Sequence, residues 1–372
     1  MSERKPRFVF VDALRGIAAL AVVLFHVYSK NLLPMTGYRL PEPLHTICNY
    51  GHLGVYIFFV ISGFVIAQSI HGEVITVRFA AWFAVRRAIR LDIPYWTTIV
   101  AMIGLTFVSN HMQHDRSLPM PTLGSIATHL VYLQGFFDYP NIVGVFWTLC
   151  YELQFYLALI TFTGATQRLI QRVTIPAWLR TKWILFVPLW VVSLWVACNR
   201  TNLTEAAFLY GWPYFFLGTL VNWIHHKQAP GWTLLPFSAT LLVAGALSQG
   251  NAHFELPEVG AACVTALAIF TVSNRGRLVS WNLGRTLQYL GRISYSLYLV
   301  HMLVGTPAMR LGIRFLGKAP TLFQALLLMA ISTGVSIVAA QMMYVFVERP
   351  STRLSQRMRS KTPVYDAALV GA

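Results

Sequence analysis

The chain has 372 residues, 56% of them hydrophobic and only 11% charged, with a mean hydropathy of +0.56. Soluble domains carry about a quarter charged residues, so this composition excludes an ordinary globular protein and points to a polytopic membrane protein. The formal net charge of +16 would suggest nucleic acid in a soluble chain, but Lys and Arg gathered on one side of a membrane account for it, and no nucleic-acid partner is expected.

The first apolar stretch, FVFVDALRGIAALAVVLFHVYS from Phe8 to Ser29, is long enough as a helix to cross a bilayer, at roughly 33 Å. It lacks a small-residue cleavage site and reads as a retained helix. Inside it lie Asp12, Arg15 and His26. A charge within the membrane costs at least a few kcal/mol, so each is a candidate functional residue. Asp12 and Arg15 also read as an i,i+3 ion pair at the membrane edge. Arg15 and His26 are close to three turns apart, so they share a face at depths roughly 16 Å apart.

Further apolar segments run from about 52–70, 93–109, 143–163, 183–199, 205–224, 233–249, 257–273, 288–306 and 321–347, which predicts an all-α bundle of about ten transmembrane helices. Leu123 to Phe137 is only moderately apolar, holds His129 and Gln134, and reads as re-entrant or interfacial. With ten crossings, loops on the N-terminal side collect roughly three times as many basic residues as those opposite, which places both termini in the cytoplasm. Residues 1–350 form the transmembrane domain, and 351–372 a basic cytoplasmic tail. Cys48, Cys150, Cys198 and Cys263 show neither disulfide nor metal-ligand spacing, so free thiols and no metal are expected.

Ser62 and Gly63 in the second segment fit a close helix contact better than a substrate contact. In FAAWFAVRRAIRL, Arg86 and Arg90 share a helix face with Arg87 beside it. These arginines read either as anchors at the membrane edge or as a phosphate clamp, since guanidinium forks match phosphate oxygens. The fourth segment carries Trp147, Glu152 and Tyr156, the last two projecting from one face. A carboxylate kept in the membrane either pairs with an Arg from another helix or orients a reacting group. In GRISYSLYLVHMLV, Gly291, Ser294, Tyr295 and Tyr298 form one stripe, and His301 is a second deep imidazole. His26, Glu152 and His301 lie at similar depth and form either a base with orienting partners or a hydrogen-bonded core cluster. Glu348, among arginines at the inner edge, reads as half of a structural ion pair.

The order VDALRGIAALAVVLFHV, FFVISGF, RRAIRL, FWTLCYELQFYL, GRISYSLYLVH and VERP resembles the acyltransferase 3 family of integral membrane O-acyltransferases, over Asp12 to about Pro350. The resemblance matches Arg15 with His26 to that family's first-helix pair and Arg86, Arg87 and Arg90 to its basic motif. Glu152, Ser294, Tyr295 and His301 match its later positions. It implies transfer of an acyl group, often acetyl, from cytoplasmic acyl-CoA to a hydroxyl of a carbohydrate or small-molecule acceptor, with no metal. The expected catalytic residues are His26, as general base or transient acyl carrier, with Glu152 and His301. The expected donor-binding residues are Arg15, Arg86, Arg87 and Arg90, supported by Asp12, Trp147, Tyr156, Ser294 and Tyr295. The expected setting is the bacterial inner membrane, among its lipids. Some relatives end in a fused SGNH-type hydrolase domain. Without one here, the bundle completes transfer alone, works with a separate extracytoplasmic transferase, or modifies an acceptor on the inner side. The rival from another class is a carrier or flippase for a lipid-linked glycan or organic acid.

Overall fold

The computed structural model describes residues 7–112, 118–172, 183–198, 208–247, 255–317 and 319–359. These are helical, with no strand among them. Ten helices coincide with the ten expected segments: α1 Val9–Val27, α2 Gly54–Ile70, α3 Val77–Met112, α4 Phe146–Arg172, α5 Trp183–Cys198, α6 Trp212–His225, α7 Leu234–Leu247, α8 Leu256–Asn274, α9 Arg285–Leu316 and α10 Leu322–Met343. Expected positions 199, 205–207 and 248–249 lie outside the described residues. Among the described residues, five helical stretches are long and apolar enough to cross a membrane, and two shorter apolar helices lie between them. Large apolar side chains face outward, as with Phe346 at 73% exposure, while Ser294, Ser296 and His301 are buried. The chain is an all-α integral membrane bundle, with its polar groups turned inward.

α1 and α9 run side by side, as do α2 and α6. Both crossings depend on glycine: a Cβ on Gly291 would overlap the Asp12 carbonyl, and one on Gly63 would overlap the Phe215 carbonyl. The small-residue reading of Gly63 is thus met by direct backbone contact, which in lipid replaces the missing hydrophobic drive. Ser62, about 100° round the same turn, lines a cavity.

α1 continues into a π turn over Tyr28–Leu32, where the Asn31 side chain donates to the His26 carbonyl at 2.5 Å. The stretch expected to be interfacial forms a short helix, Leu123–Leu130, and a 3₁₀ turn, Gln134–Phe137. His129 there is buried, donating from Nδ1 to the Ser125 carbonyl and accepting the Ile142 amide at Nε2.

Two edge-charge expectations are corrected. Asp12 pairs with Arg7 at 2.5 Å rather than with Arg15, because Arg15 is directed into the bundle. Glu348 is 6% exposed, and its carboxylate accepts both the amide and the hydroxyl of Ser296 on α9, at 3.2 and 2.6 Å. The chain then forms α11, Arg349–Arg359, which packs on α3, so the start of the expected tail is part of the bundle. Residues 360–372 lie outside the described residues. α3 is continuous through Pro94, whose ring nitrogen cannot bond the Arg90 carbonyl four residues back. The Ser351 hydroxyl of α11 donates to that carbonyl at 3.4 Å, and Ser355 donates to the Arg86 carbonyl at 2.7 Å.

Candidate active site

Side chains of α1, α2, α3, α4 and α9 line a partly open cavity. Its character changes with depth. At one end Arg15 from α1 and Arg87 and Arg90 from α3 converge, beside Glu152 and Tyr156 from α4. This is the arginine end. At the other end Val55, Phe58 and Phe59 of α2 face Thr148 and Leu149 of α4 and Tyr298 of α9.

Glu152 is the hub of the arginine end. Its Oε1 accepts the Ser62 hydroxyl at 2.9 Å and stands 3.6 Å from Arg87 Nη2. The Arg87 guanidinium also lies 3.7 Å over the Tyr156 ring. A carboxylate on one side and a π face on the other hold this buried cation, which would otherwise be costly in the membrane. Arg15 and Arg90 make no hydrogen bond or ion pair among the described residues, although Glu348 lies near enough to act on both electrostatically. They have donors to spare for an anionic ligand, as does Arg87 at its unpartnered Nε.

Arg86 does not line the cavity. Of the three α3 arginines expected to bind the donor, Arg87 and Arg90, three residues apart, are the two in the lining. Asp12 and Trp147 also lie outside the lining, Asp12 on Arg7 and Trp147 among the rings of Phe59 and Tyr151. Ser294 and Tyr295 line the cavity but donate to helix carbonyls, Gly291 at 2.9 Å and Leu91 at 2.8 Å.

His26 and His301 do not line the cavity, and are brought together just beyond its apolar end. His301 Nε2 is 3.3 Å from His26 Nδ1, with ring centroids 4.9 Å apart. His301 Nδ1 faces the carbonyls of Tyr298 and Leu297 at 2.8 and 3.1 Å, and His26 Nδ1 faces the Val22 carbonyl at 2.9 Å. Carbonyls only accept, so hydrogen-bonding puts the proton of each neutral ring on Nδ1. His301 Nε2 then accepts from His26, and His26 Nε2 is left with a free lone pair. The arrangement is that of a base whose tautomer is fixed by the Val22 carbonyl together with a second imidazole.

Tyr298 separates this pair from the cavity. Its ring is 6.0 Å from His301, and its hydroxyl is 2.7 Å from Thr148 Oγ1. Sequence reading placed Tyr298 in the α9 stripe without giving it a role, and passed over Phe58 and Thr148. The signal for Tyr298 was its position three residues before His301 and four after Ser294. Among the described residues no group of three or more His, Cys, Asp or Glu side chains is placed to hold a metal ion.

A family model described as an acyltransferase domain matches residues 8–341. Nodulation protein 10 of Rhizobium leguminosarum bv. viciae is 26% identical over 322 residues, covering 79% of this chain and 82% of its own length. No solved structure matches. The chain belongs to the acyltransferase 3 family and is an integral membrane acyltransferase.

Proposed function

We infer that the protein moves a short acyl group, acetyl first among them, from acyl-CoA to a hydroxyl of a carbohydrate or related cell-envelope acceptor. The observation that carries this reading is the order of groups along the bundle: a cavity with Arg15, Arg87 and Arg90 at one end and, behind Tyr298 at the other, the paired His26 and His301. A CoA thioester has that polarity, with anionic phosphates, a flexible arm and a reactive carbonyl. The arginine end faces the cytoplasm of a bacterial plasma membrane, and both termini lie on that side.

Arg15 and Arg90 bind phosphate oxygens, while Arg87, restrained by Glu152 and Tyr156, sets the floor they approach. The thioester end occupies the apolar end of the cavity, and the Tyr298 side chain, which stands between it and the imidazole pair, turns aside for transfer. His26 Nε2 takes the proton of the acceptor hydroxyl as its oxygen attacks the thioester carbonyl. The carbon–oxygen bond forms, the carbon–sulfur bond breaks, and the imidazolium returns its proton to the departing CoA thiolate. His301 acts as a positioning residue, keeping His26 in the tautomer with an open Nε2.

Membranes containing the protein are supplied with acetyl-CoA labelled in the acetyl group, and label in the glycan fraction is measured. The expected result is transfer that falls about 10³-fold in His26→Ala at equal membrane content, within the range of a lost general base. Near-normal transfer by that variant removes His26 from the chemistry. Movement of a glycan across the membrane without label transfer turns the reading into that of a carrier.

A further inference from the structure

The cavity does not run open to the imidazoles. Glu152 and Ser62 are bonded to each other, so they mark one level. On α2 Phe58 lies one turn before Ser62, and on α4 Thr148 lies one turn before Glu152, each roughly 6 Å along its helix. From that level toward the histidines the lining becomes Val55, Phe58, Phe59 and Leu149, with only the hydroxyls of Thr148 and Tyr298 among them. Those hydroxyls are engaged: Thr148 donates to the Val145 carbonyl at 2.9 Å, and the Tyr298 hydroxyl is 2.7 Å from Thr148 Oγ1.

The end wall is a pair of rings. Phe58 meets Tyr298 edge to face, with centroids 5.8 Å apart. Tyr298 is held at its hydroxyl and buried. Phe59 is held by contacts with Phe215, Tyr56, Tyr214 and Trp147. Phe58 is only partly buried, and its one ring contact among the described residues is with Tyr298, which makes it the member of the wall that a substitution removes with least disturbance.

We propose that this blind apolar end is the acyl subsite, and that Phe58, closing against Tyr298, sets the length of acyl chain the protein accepts. The inference rests on acyl-CoA being the donor and adds to it the residue that selects among donors. With phosphates held at the arginines, the acyl group lies among Val55, Phe58 and Leu149, where a short chain is desolvated and a longer one meets the Phe58 ring. Close-packed rings do not yield to extra methylenes without displacement.

The test is competition against labelled acetyl-CoA by unlabelled butyryl-, hexanoyl- and octanoyl-CoA, using the full-length protein in membranes. Wild type, Phe58→Leu and Phe58→Ala are compared, each by the ratio of hexanoyl- to acetyl-CoA affinity. In the wild type hexanoyl-CoA is expected to bind at least about tenfold more weakly than acetyl-CoA, the discrimination an apolar pocket gives for a few methylenes. Phe58→Ala brings the ratio to within about threefold of unity and Phe58→Leu lies between, since each step widens the same pocket. An unchanged ratio in both variants, with acetyl-CoA still bound, overturns the acyl subsite alone. No acetyl-CoA binding by the wild type overturns the donor reading, and this inference with it.

Discussion

α2 divides the bundle into two regions that are packed by different means. On the face toward α6, Gly63 and Gly218 let the backbones touch, and the space around them is filled by rings, with Phe155 stacked on Phe215 at 4.5 Å and Tyr56 against Tyr214 at 4.8 Å. Thr219 supplies a hydroxyl to the Gly63 carbonyl there, at 3.3 Å. On the face toward α3 and α4 the same helix presents Ser62 to a carboxylate, which in turn restrains a guanidinium. Close packing and neutral hydrogen bonds hold the first region, with Asn222 of α6 donating to Gln68 of α2 at 2.9 Å. The second region instead keeps a carboxylate and guanidinium groups within the bundle, at a cost in membrane stability that the ring-packed region avoids.

The sharpest way to break this comparison is at Glu152. Glu152→Gln leaves Arg87 without its counter-charge, and donor-dependent transfer is expected to fall about 10²-fold, because an unpaired buried cation rearranges its surroundings. Adding Arg87→Gln should cost much less than the product of the two single losses, since the pair acts as a unit. Transfer assays on the four-member cycle measure this, and strictly multiplicative losses would show that the two side chains act separately.

A smaller effect separates the arginines. Arg90→Gln is expected to raise the KM for acetyl-CoA about tenfold with kcat nearly kept, as for one lost charge-assisted contact, whereas Arg86→Gln stays within about twofold. Equal effects would return the basic motif to membrane anchoring. The smallest effect on chemistry belongs to the ring-packed region. Gly63→Ala forces α2 away from the Phe215 carbonyl, so the thermal midpoint in detergent should drop by several degrees while transfer per folded molecule stays near wild type. Loss of specific activity would mean that the two faces of α2 are coupled.

The helices were legible because continuous apolar runs leave few alternatives in lipid, and the all-α membrane bundle follows from them directly. The candidate residues were legible in type, but their grouping was not. Spacing put Arg86 with Arg90, yet the rotation of α3 is fixed by Pro94 and by hydroxyls on α11, distant in sequence. Likewise Asp12 and Arg15 looked like a pair because they are three residues apart, while Arg7, just outside the helix, takes the carboxylate. Glu348 looked like an edge charge because its neighbours in sequence are basic, and only the fold shows that Ser296 of α9 caps it. The meeting of His26 with His301 across 275 positions is a matter of tertiary packing, which no local pattern encodes.

The contacts of α11 also bear on biogenesis. Ser351 and Ser355 reach backbone carbonyls 261 and 269 positions earlier, at the turn that displays the cavity arginines. Such long-range closure is slow to form, and here it waits for the last helix to be inserted. During translation, a nascent chain that has not yet made α11 carries its basic motif without the Ser351 and Ser355 contacts, so this turn of α3 is completed late, when α11 docks on it, and not as each earlier helix leaves the translocon.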